Sequence, residues 1–244
     1  QLGGGGRLQV AGNNIANNLG HGVDVSSSGQ TEIISNTIAD NKGNGLQLGG
    51  SGIATTRVQQ NNLVRNGTYE FYLESGAPGT QNFTLDAANN YWMVPAASVP
   101  SRIRDCTFDE NGCSSPSATV GKVAFAPPLA APQLAAPAYA TALTLQPDTV
   151  GVEAGTLVVE FSKPMDTTVL PEAHFQQVPD LPQYLFENGR WISSTRFEAT
   201  FDFTALVAPG YYTVTVEGAL AGDGMPAYAA KANSYRVYFP ADVT

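Results

Sequence analysis

The chain has 244 residues, 14% of them charged and 43% hydrophobic, with 25 Gly and 16 Pro. That leaves room for one large domain or two ordinary ones with real cores, and it is the composition of neither a coiled coil nor a charged disordered chain. Twelve Lys and Arg against 21 Asp and Glu give a net charge of −9, the wrong sign for neutralising phosphates, and no apolar run approaches the roughly 20 residues of a membrane-spanning helix, so nucleic acid and membrane insertion are both disfavoured.

The chain opens with Gln1 and carries no signal peptide, which reads as a processed mature product or a piece of something longer. Gly3 to Gly6 are a flexible start rather than a nucleotide cradle. Of the 16 Asn, 13 fall in residues 1–92, as do 16 of the 25 Gly, so the two halves should differ in architecture. A motif recurs through this half: an Asn, an aliphatic residue two positions on, a second Asn, then Gly and alternating aliphatics. The copies run from Asn13-Asn14-Ile15 to Val25, from Asn36-Thr37-Ile38 to Leu48, and from Asn61-Asn62-Leu63 to Leu73. Stacked on one another, they place Val10, Ile33 and Val58 in one column, and Ile15, Ile38 and Leu63 in a second. Val23, Leu46 and Phe71 form a third column, and Val25, Leu48 and Leu73 a fourth.

Val23-Asp24-Val25, Leu46-Gln47-Leu48 and Phe71-Tyr72-Leu73 alternate inward and outward, the period of a strand. A single copy cannot bury its own apolar face. Copies stacked at the strand spacing of about 4.8 Å build a continuous core. The columns Asn13/Asn36/Asn61 and Asn18/Asn41/Asn66 can pass amide hydrogen bonds along such a stack and tolerate the left-handed backbone of tight corners. These repeats resemble the right-handed parallel β-helix family, in particular the Asn- and Gly-rich repeats of NosD-type surface and periplasmic proteins, over roughly residues 5–128. Ala88-Asn89-Asn90-Tyr91-Trp92 looks like the aromatic closing turn of such helices, with Met93 where a Gly often follows. Arg102-Ile103-Arg104-Asp105 with Phe108-Asp109, and then Val123-Ala124-Phe125-Ala126-Pro127, look like the segment that ends them.

Cys106 and Cys113 flank a turn-like Glu110-Asn111-Gly112. They suit a small disulfide loop in an oxidising compartment, with two free buried thiols as the alternative. Residues 127–137 hold four prolines and no charge, which reads as a stiff extended linker. Beyond it, alternating apolar segments recur at Leu143-Leu145, Leu157-Val159-Phe161, Tyr184-Phe186, Trp191, Phe197-Phe201, Tyr212-Val214-Val216 and Tyr235-Val237-Phe239. Asn188-Gly189 stands between two strand-like runs as a hairpin signal. About seven strands predict a β-sandwich. Val159-Glu160-Phe161-Ser162-Lys163-Pro164-Met165-Asp166, Gly189-Arg190-Trp191 and Gly210-Tyr211-Tyr212-Thr213-Val214 resemble the bacterial Ig-like domains of surface-layer and cell-wall proteins, which act as extracellular spacers. The expected fold is all-β: a short right-handed parallel β-helix with its terminal cap over 1–126, a linker over 127–137, and an Ig-like β-sandwich over 138–244.

Because many β-helices are polysaccharide lyases or hydrolases, Asp24, Asp40, Glu70, Glu74 and Asp86 must be weighed as acid/base pairs, with Lys42, Arg57 and Arg65 as carboxylate clamps. Asp24 aligns with Gln47 and Tyr72, so no acid column forms there, and solvated surface charges are the plainer reading. His21 and His174 have no second His or Cys at ligand spacing, and no hydrolase elbow, phosphate loop or dinucleotide fingerprint is present. Asn66-Gly67-Thr68 and Asn82-Phe83-Thr84 match a glycosylation sequon, a pattern that arises readily by chance in Asn-rich repeats. No cofactor is expected. Calcium is the ion to consider, because Asp166, Asp180, Asp202 and Asp223 fall in or near predicted turns, though without EF-hand spacing.

The first repeat begins in register at Leu8-Gln9-Val10 with no covering amphipathic helix before it. An uncovered β-helix end exposes unpaired backbone and an apolar cross-section. Either further coils of a longer chain cover it, or a second copy docks head to tail and builds a filament, with Leu2, Leu8, Val10 and Ile15 at the contact. The leading expectation is a non-catalytic extracellular or cell-surface scaffold. The alternatives are a polysaccharide lyase or hydrolase, and a carbohydrate-binding adhesin using Tyr69, Tyr72, Tyr91 and Trp92.

Overall fold

The computed structural model describes residues 2–4, 6–27, 29–50, 52–74, 83–105, 121–146, 154–177, 183–203, 210–228 and 230–237, the side chains of 2–4, 27, 183 and 230–237 aside. Two units divide the chain at Pro137/Ala138. Among the described residues, no helix is long and apolar enough to cross a membrane.

In the first unit every strand pairs with the equivalent strand one repeat away, and every pairing is parallel. One sheet stacks Leu2–Gly4, Val23–Ser27, Leu46–Gly49, Phe71–Leu73 and Ile103–Arg104. A second stacks Leu8–Ala11, Thr31–Ile34, Arg57–Gln59, Phe83–Asp86 and Gly121–Ala124. The third is formed by Asn14–Ala16, Thr37–Ala39 and Asn62–Val64. This is a three-sided parallel β-helix. The registers reproduce the columns read from the sequence: Val10↔Ile33↔Val58, Ile15↔Ile38↔Leu63, Val23↔Leu46↔Phe71 and Val25↔Leu48↔Leu73. Ile33, Val58, Ile38, Leu63, Leu46 and Phe71 are all fully buried. Val10 and Ile15, in the first coil, are only partly buried.

The corners are built on hydrogen bonds. At one corner the backbone N–H and the amide of Asn13 both donate to Asn36 Oδ1, those of Asn36 donate to Asn61 Oδ1, and those of Asn61 donate to Asn90 Oδ1, all at 2.9–3.2 Å. The amides of Asn36, Asn61 and Asn90 also donate to the carbonyls of Val10, Ile33 and Val58 in the preceding coil. The second ladder runs from Asn18 to Asn41 to Asn66 in the same way. It stops at Glu70, whose carboxylate accepts from the backbone and the amide of Asn66.

The left-handed corner residue is not the ladder Asn, as the composition suggested, but its predecessor. Gly12, Ser35 and Gln60 have φ of 66°, 55° and 58°, and Asn17, Asp40 and Arg65 have φ of 59°, 55° and 55°. That turn points the next side chain along the stack, so most corners carry a non-glycine strain of about 1–2 kcal/mol, which the ladder bonds offset. Met93 has φ 53°, so it takes the backbone conformation of the Gly whose place it fills.

Residues 127–137 are held against the coils rather than standing free. Leu129 N–H donates to Asn90 O, and Asn62 clasps the Gln133 backbone with both ends of its amide, at 2.7 and 3.3 Å. Thr37 Oγ1 donates to Pro137 O at 2.6 Å. The expected linker is therefore a strap of the β-helix unit.

The second unit packs two antiparallel four-stranded sheets face to face. One orders Ala140–Gln146, Ala154–Phe161, Arg196–Asp202 and Glu187–Ser193; the other orders Gln183–Leu185, Glu172–Gln176, Gly210–Glu217 and Ala230–Val237. The core is aromatic, with Phe175 stacked on Tyr212 at 4.8 Å and in contact with Phe186, Phe201 and Phe203. Asn188-Gly189 is not the hairpin turn. It lies inside Glu187–Ser193 at a break in register, with Asn188 at φ 52°, and the strand turns instead through Ser194-Thr195. An Asn-Gly pair supplies a left-handed residue to a bulge as readily as to a tight turn.

Candidate functional site

The outward positions of the first sheet line up as Asp24↔Gln47↔Tyr72↔Arg104, one per coil, because their neighbours Val23, Leu46, Phe71 and Ile103 point inward. Beside this column lies an open groove of about 300 Å³ lined by His21, Asn44, Gln47, Thr68, Tyr69, Tyr72, Glu74 and Arg104. A polar relay crosses it. His21 Nδ1 accepts the Asn44 backbone N–H at 2.9 Å, Asn44 Nδ2 donates to Gln47 Oε1 at 2.9 Å, and Gln47 Nε2 donates to Glu74 Oε1 at 3.1 Å. Gly49 lies against that carboxylate: a Cβ there would meet Glu74 Oε2, and the Glu74 side chain would have to shift. On the other wall the Tyr69 and Tyr72 rings stand 6.4 Å apart, and the Arg104 guanidinium lies 5.4 Å from the Tyr72 centroid. Aromatic faces next to planar amides, a carboxylate and a guanidinium can stack on a sugar ring and bond its hydroxyls.

Three of the other carboxylates, Asp40, Asp86 and Glu70, are tied to structural partners. Arg65 donates to both oxygens of Asp40 at 2.8 and 2.9 Å, one coil apart. Asp86 accepts from Gln59 and from the Ala88 backbone. Glu70 departs from the surface-charge expectation: it is 1% exposed, bonded by Arg102 at 2.8 Å and by Asn66. Burial pushes its pKa up, against the opposing pull of the Asn66 and Arg102 hydrogen bonds. It ends a ladder at a point where the repeat supplies no further Asn.

Of the aromatics considered for glycans, Trp92 is 1% exposed and belongs to the core. Tyr91, part-buried like Tyr69 and Tyr72, bridges to Asn62 and lines a different pocket with Met93 and Leu129, so only Tyr69 and Tyr72 share the groove. Among the calcium candidates, Asp166 caps Thr168 through its backbone and hydroxyl, which lowers its pKa. Asp223 binds buried Lys163 Nζ at 2.7 Å and the Met225 N–H, and is lowered likewise. Asp202 is exposed on a strand, and Asp180 lies outside the described residues. Cys106, Cys113 and the side chain of Leu2 also lie outside them. Leu8, Val10 and Ile15 share the first coil's inward face.

Sequence reasoning missed two features. The Asp24-Gln47-Tyr72 column was visible, but its continuation to Arg104 was not, since Arg104 lies 32 positions beyond Tyr72, past the last regular copy of the motif. The second is a group of three metal-ligating side chains in the sandwich, Glu172, His174 and Glu217, whose ligand atoms lie within 4.8 Å of one another. Glu172 and His174, two apart on one strand, were a signal; Glu217 joins them only through strand pairing.

No curated protein matches the chain. Residues 1–90 match the family model described as a right-handed β-helix region, in agreement with the parallel coils and covering the three clear repeats.

Proposed function

We propose that the chain is a non-catalytic extracellular structural module, a scaffold or filament subunit that is built upon through the first layer of its β-helix. One observation carries this reading. Within the molecule, the Oδ1 of Asn36, Asn61, Asn41 and Asn66 each accepts two donors from the coil before it. Asn13 and Asn18 present the same acceptor beside part-buried Leu8, Val10 and Ile15, a surface whose complement is one more coil. In the filament reading a second copy of the chain supplies that coil; in the scaffold reading further coils of a longer polypeptide supply it.

The finer resemblances, to NosD-type repeats in the first unit and to bacterial Ig-like spacers in the second, support a place at the cell surface or outside it. So does the acidic second unit, with 12 acids against 5 bases in residues 138–244. The test is electron microscopy with sedimentation of the purified 25.6 kDa chain. Oligomers or fibres that grow with concentration, and that vanish when Val10→Asp and Ile15→Asp are combined, are expected. Monodisperse 25.6 kDa particles at every concentration would overturn the filament reading.

The lateral groove favours a second reading, carbohydrate binding, because Tyr69, Tyr72 and Arg104 form an outward aromatic and cationic wall. Glycan-array binding that is lost in Tyr72→Ala supports it. Binding indifferent to Tyr72→Ala and Arg104→Ala, or none at all, removes it.

A further inference from the structure

We propose that Glu172, His174 and Glu217 form a zinc(II) site on the outer face of the sandwich. Glu172–Gln176 lies between Gln183–Leu185 and Gly210–Glu217. Ala173 and Phe175 enter the core, so Glu172 and His174 share the opposite face. Strand register sets Glu172 directly across from Glu217, and two like charges in that position repel.

His174 stands between them. It is 6% exposed, with Nε2 3.1 Å from Glu217 Oε1 and 3.7 Å from Glu172 Oε2. Yet neither ring nitrogen makes a hydrogen bond, although both are buried. A buried ring whose nitrogens make no hydrogen bond is costly, and the cross-strand Glu172–Glu217 pair is repulsive although both carboxylates face solvent. A divalent cation bound by one imidazole nitrogen and two carboxylate oxygens relieves both.

The donor set selects the ion. Calcium and magnesium prefer all-oxygen shells, whereas zinc takes mixed nitrogen and oxygen donors in tetrahedral geometry. Bonds of about 2.0–2.1 Å in a tetrahedron set ligand atoms roughly 3.3 Å apart, and the two His174 separations lie on either side of that value. Both carboxylates face solvent, with side-chain exposures of 75% and 52%, so the ion has a path in. Three protein donors leave a fourth position open for water or for a donor group from another molecule. The ion also clips two neighbouring strands together, so binding stabilises the sandwich.

The experiment is calorimetric titration of the full, chelator-stripped chain with zinc chloride alone, alongside thermal melts and the visible spectrum of the cobalt(II) form. One ion per chain, a raised melting temperature and cobalt bands of a low-coordinate site are expected. His174→Gln and Glu217→Gln should each weaken binding by at least the roughly tenfold that even outer partners of a metal ligand are worth, while Asp24→Asn in the other unit changes nothing. Glu217 is exposed at a strand end, so its variant keeps the test valid if His174→Gln fails to fold. No binding by the wild-type chain, binding unaffected by Glu217→Gln, or a preference for calcium over zinc would overturn the site.

Discussion

The two units solve the problem of stability with different materials. The β-helix fills its interior with mostly aliphatic columns of one or two residues per sheet and locks two of its three corners with buried Asn residues that bond the neighbouring coils. The sandwich carries no such ladder among its described residues and relies on interlocking rings around Phe175. In the first unit a single buried position is specified by its hydrogen bonds; in the second it is specified by its volume.

That contrast predicts opposite responses to the same kind of substitution. Asn61→Ala should cost on the order of 3 kcal/mol, because it removes a group that is 0% exposed and leaves the Ile33 carbonyl and the Asn36 N–H without partners. Asn61→Leu, which keeps the bulk, should cost no less. Phe175→Ala should cost about 3–5 kcal/mol through the cavity it opens, but Phe175→Leu only about 1–2 kcal/mol. Chemical denaturation of the four variants checks this, and equal damage from Phe175→Leu and Phe175→Ala would break the comparison.

Repetition explains why so much of the first unit was legible in the sequence. Each column is sampled three times, so Val10, Ile33 and Val58 could be aligned without knowing any contact, and the Asn ladders followed from the same alignment. What stayed hidden lacks a repeat. Arg104 joins its column after a long excursion, and the strap at 127–137 is held by Asn62 and Thr37 through contacts that nothing in a Pro-Ala segment announces. In the sandwich, strands could be placed but not paired. Asn188-Gly189 therefore read as a turn rather than a bulge, and His174 read as isolated because Glu217 is 43 residues away.

A smaller effect concerns the end of a ladder. Glu70 has its pKa raised by burial above the ordinary 4.5. Between that value and the raised one, the folded protein keeps a proton that the unfolded chain has released, so stability falls as pH rises through the window. Melting temperatures of the wild type relative to Glu70→Gln should therefore decline as pH rises from 4.5; a difference that is flat or climbs would contradict the assignment.

The smallest effect tests the corners. Gln60 has φ 58°, a conformation costing a non-glycine residue about 1–2 kcal/mol. Gln60→Gly should stabilise the β-helix by roughly 0.5–1 kcal/mol once the flexibility it adds to the unfolded chain is counted. Asn61→Gly, one residue later, should instead damage it as badly as Asn61→Ala, and denaturation midpoints separate the two.

The proposal that the first layer is covered by a second copy is tested most directly by hydrogen exchange at the amides of residues 8–16, measured at low and at high protein concentration. Slower exchange there at high concentration, with the sandwich amides unchanged, is the predicted result. Exchange that is the same at both concentrations would mean that nothing docks on that layer.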